Sequence, residues 1–245
     1  KRTAGACWSR AGRRSQGPRA LASVAGAPRG PGAPFLNFDA TILVAALVEI
    51  LLLWLAVCVH ESAHGWMAER RGDPAAREQG RISLNPLRHF DPFGMLFLPI
   101  AMAFVGGPAF GWGRPSPVLG RELKQPWDAV WVAAAGPLAN LAVCAASIVG
   151  LALACSLGGE ATRSLAADTL QWSMLRGAEA PKVAFDPAFY VLIQLGWVHG
   201  ALAIFHLLPI PPLDGGEILA KFLPADWIPR FIALRRFGMV VAMAF

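Results

Sequence analysis

The chain has 245 residues, of which 55% are hydrophobic and only 16% carry charge, whereas soluble domains average about 25% charged residues. With a mean hydropathy of +0.46, this composition excludes an ordinary soluble domain and predicts an all-α, multi-pass membrane bundle. The net charge of +6 is no nucleic-acid signal: seven of the 22 Lys and Arg residues fall in the first 34 positions, and most others lie in short loops between apolar runs, as the positive-inside rule expects.

Residues 1–34 hold those seven basic residues, no acid, and many Gly, Pro, Ser and Ala. They read as a disordered basic tail that need not be native to the chain. Residues 35–245 then form one transmembrane domain. Its apolar runs are 40–66, 95–110, 129–156 and 188–210, followed by FGMVVAMAF at 237–245. A bilayer-spanning helix takes about 20 residues, so this last run reads as a span cut short. Segment 95–110 is brief and ends in the Gly/Pro-rich GGPAFGWGRPSP. It therefore reads as re-entrant, dipping in and returning. The basic loops 69–91 and 111–127 and the stretch 217–236 then share one side, taken as cytosolic. Residues 157–187 become the outer loop, and the basic tail is left outside, against the charge rule. Cys7, Cys58, Cys144 and Cys155 form no CxxC pair and read as small buried hydrophobes.

The first apolar run ends in AVCVHESAHGW, residues 56–66. Ionisable groups at membrane depth cost about 2.5–3.5 kcal/mol each on insertion scales, so they call for a purpose. His60 and His64 are four apart and share a helix face, where two imidazoles can meet one Zn²⁺. Glu61 adjoins them. This is the HExxH pattern, in which zinc acidifies water and the glutamate takes its proton. A catalytic zinc site uses three protein ligands. The candidate third is Asp214, in HLLPIPPLDGGEIL at 206–219, where prolines break the helix and the acid sits on unwound backbone.

These motifs, together with GRISLNPLRHFDPFG, FGWGRPSPV and AGPLAN, resemble those of the site-2 protease family, the zinc intramembrane metalloproteases of peptidase family M50. The closest resemblance is to the compact bacterial type without a PDZ domain, and it covers residues 36–245. It implies that His60, His64 and Asp214 bind zinc, that Glu61 is the general base, and that membrane-anchored proteins are cut in or beside their transmembrane segments. It also implies a multi-pass protein of the cell membrane with its site towards the cytosol. Region 69–126 would supply strand-like and re-entrant pieces, including a short β-hairpin near the site, that hold substrate extended.

One position departs from the family pattern. Where an asparagine usually stands eight residues before the LDG aspartate, this chain has His206, and His199 stands seven residues earlier, where compact relatives often have another asparagine. The two share a helix face. With Asn140 of AGPLAN, they are candidates for contacting substrate or the oxyanion, or else for hydrogen bonding between helices. His89 and Asp91 read as a structural pair. The rival reading is a metal-binding membrane protein without proteolysis, either an inactive scaffold or a cation transporter. A transporter calls for a second set of intramembrane ligands. Substrate identity and oligomeric state are not legible.

Overall fold

The structure, a computed structural model, describes residues 40–105, 107–174 and 185–234. The expected basic tail at 1–34 and the last apolar run at 237–245 lie outside the described residues.

Helix α1 (Ala40–Arg71) has 32 residues and so extends about 48 Å at 1.5 Å per residue, well beyond a hydrocarbon core of roughly 30 Å. After a tight turn comes the single-turn helix α2 (Ala75–Glu78). A π-helical turn over Pro92–Phe97 runs directly into α3 (Leu98–Phe104). Then follow α4 (Asp128–Leu157), α5 (Gly159–Met174), α6 (Pro187–His206), α7 (Asp214–Ala220) and α8 (Ile228–Ala233). Among the described residues α1, α4 and α6 are long and apolar enough to cross a membrane. Leu47 and Leu51 of α1 and Ile148 and Leu153 of α4 point outward, exposed, as helices that meet lipid rather than water require. These three helices pack on one another, α4 touching both others. Leu53, Ala56 and Val57 of α1 form a buried core with Val198 and Leu202 of α6 and with Met95.

Segment 92–104 returns rather than crosses. Arg71 at the end of α1 pairs with Asp128 at the start of α4, Nη1 to Oδ1, at 3.1 Å, so everything between leaves and rejoins the same end of the bundle. At 13 residues the apolar piece is about 20 Å long, too short to span. Its entry is fixed by Asp91, whose Oδ1 accepts the Phe93 and Gly94 N–H groups at 3.0 and 2.7 Å. Its depth is fixed by Trp54, whose Nε1 donates to the Met95 carbonyl at 2.6 Å.

No β-strand forms among the described residues, so the expected hairpin is not found there. The GRISL segment bends and docks on α1 instead. Ser62 Oγ donates to the Ser83 carbonyl at 2.8 Å and accepts the Ser83 N–H at 3.0 Å, leaving no second strand to pair. His89 and Asp91 do not pair with each other either. His89 Nε2 bonds the Ser83 carbonyl at 2.8 Å while Asp91 caps the re-entrant turn, and burial holds the His89 imidazole below the usual histidine range. The expected outer loop contains helix α5. Its Trp172 packs with Phe185 and Tyr190, and Asp186 caps α6 by accepting from Ala188 and Phe189.

Candidate active site

The site forms where α6 ends beside the HExxH turn of α1. After His206 the run of Pro209, Pro211 and Pro212 denies the backbone its helical bonds, and the chain turns back so that α7 opens at Asp214. Gly215 lets this turn close, since a Cβ there would strike the Leu207 and Leu208 carbonyls.

Three candidate ligand side chains converge. His60 Nε2 lies 2.9 Å from His64 Nε2 and 3.1 Å from Asp214 Oδ2, and His64 Nε2 lies 3.4 Å from Asp214 Oδ1. Ligands at 2.0–2.1 Å from a tetrahedral zinc stand about 3.3 Å apart, so these separations fit. The donor chemistry fits as well. His64 Nδ1 donates to the Val132 carbonyl of α4 at 2.7 Å, which leaves Nε2 of the neutral ring as a lone pair. The Asp214 carboxylate only accepts. Acceptors buried face to face at this range are satisfied by a cation between them. Among the described residues this is the one group of three His, Cys, Asp or Glu side chains arranged to hold a metal, so the second ligand set that a transporter would need is not seen there.

Glu61 borders the same cavity of about 440 Å³, which His60, His64, Ser116, His206 and Asp214 also line. Its Oε2 accepts the Ser116 N–H at 2.6 Å, and its backbone carbonyl accepts Ser116 Oγ at 2.8 Å. His206 comes to the site through Asp214, Nδ1 lying 2.9 Å from Oδ2. Asn140 and His199 do not line the cavity. They are fully buried and bonded to each other across α4 and α6, His199 Nδ1 to Asn140 Oδ1 at 3.0 Å.

Several contributors were not foreseen from the residues. Gly136 of AGPLAN lets α4 pass against the ligand pair: a Cβ there would collide with His64 Nε2 and sit 2.8 Å from His60 Cε1. Ser116 sits in a quoted motif, but nothing in FGWGRPSPV reveals which residue reaches Glu61. Glu49, buried within α1, accepts from Tyr190 Oη at 2.6 Å. An acid eleven residues before His60 inside an apolar run was a readable signal.

A membrane bundle with a His₂Asp centre and a carboxylate beside it defines a metallopeptidase of the intramembrane class. The chain belongs to peptidase family M50, whose model matches residues 48–244, and it is a zinc metalloprotease. It is 33% identical over 193 residues to the Bacillus subtilis (strain 168) protein named "Putative zinc metalloprotease YwhC", covering 78% of this chain and 76% of that one. It is 27% identical over 205 residues to the Mycolicibacterium smegmatis protein named "Putative zinc metalloprotease Rip2", covering 82% and 67%. No solved structure matches the chain.

Proposed function

We propose that this chain cuts membrane-anchored proteins within or beside a transmembrane segment, from the cytosolic side of the cell membrane, with His60, His64 and Asp214 holding Zn²⁺ and Glu61 as general base. The observation that carries this reading is the convergence of the three ligating atoms on the cavity that Glu61 borders. When bound, Zn²⁺ supplies Lewis acidity, acidifying water and polarising a carbonyl.

The chain's own groups do the rest. With Oε2 engaged by the Ser116 N–H, Glu61 has Oε1 to take the proton of the attacking water and pass it to the departing amine nitrogen. With Nδ1 of His206 engaged by Asp214, Nε2 is the ring nitrogen left for a polar group of the substrate. The mutual bond of Asn140 and His199 favours a role in holding α4 to α6 over substrate contact. Substrate reaches the site unwound, because carbonyls bonded within a helix are closed to attack. The cytosolic assignment rests on charge. Arg70, Arg71, Arg77, Arg88, Arg114, Arg121 and Lys124 all belong to the end of the bundle where α1 finishes and α4 begins.

The test is cleavage of single-span reporter proteins by the purified chain in liposomes. Cleavage should stop with chelator, return with added zinc, and map by mass spectrometry to the reporter's span or its border. A zinc-loaded chain that leaves every reporter intact contradicts the reading.

A further inference from the structure

Arg81 is buried, 8% exposed, although it lies in a loop where a guanidinium is free to reach water. Its position is set by α2 and α1 together. The Arg81 N–H donates to the Ala76 carbonyl at 2.8 Å, and Ser83, two residues on, is clasped by Ser62, the neighbour of Glu61 in sequence. From there the side chain reaches three carbonyls on two separate stretches of chain. Nη1 donates to Arg88 O, and Nη2 donates to Arg114 O at 2.7 Å and Pro115 O at 2.8 Å. The Arg114 N–H donates to His89 O at 2.8 Å, closing the link between the same stretches. The next residue is Ser116, whose N–H and Oγ both hold Glu61.

We propose that Arg81 is a positioning residue for Glu61, acting through the 114–116 backbone. It fixes two consecutive carbonyls so that the amide following them points at Oε2. A planar fork with five donors is suited to bridging several carbonyls at once, and a single ammonium nitrogen is not. Pro115 and Pro117 on either side restrict the backbone around Ser116, so the strap has little freedom once Arg81 anchors it. With one carboxylate oxygen held, the other is presented to water in a fixed direction. This assignment rests on the protease reading, since it concerns the base of that reaction.

The experiment uses the whole chain in detergent micelles, a fluorogenic single-span reporter that the parent cleaves, zinc stoichiometry, and amide hydrogen exchange at Ser116, whose neighbours on both sides are prolines. In Arg81→Ala, kcat should fall by about 10- to 100-fold, part of the 10²–10⁴ that general-base catalysis supplies. KM should stay within about twofold, the pattern of an interaction felt in the transition state. Zinc should remain at the parent level and Ser116 exchange should quicken. Arg81→Lys should recover part of kcat. Ser116→Ala keeps the N–H and should lose only about fivefold, the worth of one neutral hydrogen bond, whereas Ser116→Pro removes the N–H and should match Arg81→Ala. If Arg81→Ala does not fold, Arg81→Lys and Ser116→Pro carry the test. Parent kcat in these variants, or a loss that tracks zinc or KM, overturns the positioning role alone. A parent that cleaves no reporter while Ser116 stays protected overturns the protease reading and leaves the strap as architecture.

Discussion

His206 stands 2.9 Å from Asp214, Nδ1 to Oδ2, so the residue that departs from the family's asparagine is tied to a proposed zinc ligand. Groups that hydrogen-bond a metal ligand set its orientation and basicity, and their loss lowers metal affinity or activity by about 10- to 100-fold. His206→Leu should therefore weaken zinc binding by that order in a chelator competition. His206→Asn, still a donor at that position, should retain more. Equal zinc affinity in parent and His206→Leu rules out this coupling.

Glu61→Gln separates metal binding from catalysis. The amide oxygen still accepts from Ser116, so the strap and the zinc ligands stay in place, but no proton can be taken from water. Turnover should drop by about 10²–10⁴, with zinc content unchanged by elemental analysis. Loss of the metal along with turnover assigns Glu61 a structural part instead.

Gly136→Ala sets two effects against each other. In a helix interior, alanine is usually favoured over glycine by about 0.5–1 kcal/mol. Here the added methyl enters space occupied by His64 Nε2 and crowds His60 Cε1. Displacing two of three ligands should dominate: zinc stoichiometry should fall well below one per chain while the helical circular dichroism of the protein persists. Full zinc occupancy in Gly136→Ala means that α4 can shift to make room.

The candidate metal centre is legible in the sequence because its chemistry is local. His60 and His64 need only one helical turn to meet, and Asp214 was marked by prolines that put an acid on broken helix inside an apolar chain. What brings them together was not local. Val132, whose carbonyl sets the His64 tautomer, and Gly136, which admits the imidazoles, look like any residues of an apolar helix. The re-entrant reading of 95–110 rested on length and Gly/Pro content, and the Arg71–Asp128 pair supplies the geometric reason. The hairpin expected around GRISL failed to appear because alternation in five residues does not reveal whether a second strand lies alongside, and the side chain of Ser62 takes that place. For Asn140 and His199, the sequence offers hydrogen bonding between helices as one of two roles, but only the packing of α4 on α6 reveals that they meet each other.

Removing either half of that last pair should cost more than the bond itself is worth. Interhelical hydrogen bonds in membranes average about 0.6 kcal/mol, with a maximum near 1.7, but truncating one partner leaves the other buried and unpaired, at about 1–3 kcal/mol. Asn140→Leu and His199→Leu should each lower resistance to denaturant in micelles. The double substitution should be less damaging than the sum of the two, because no orphaned polar group remains. Cleavage by whatever fraction stays folded should be near the parent's, since neither side chain lines the cavity. A variant of normal stability with lost cleavage would instead place the pair in contact with substrate.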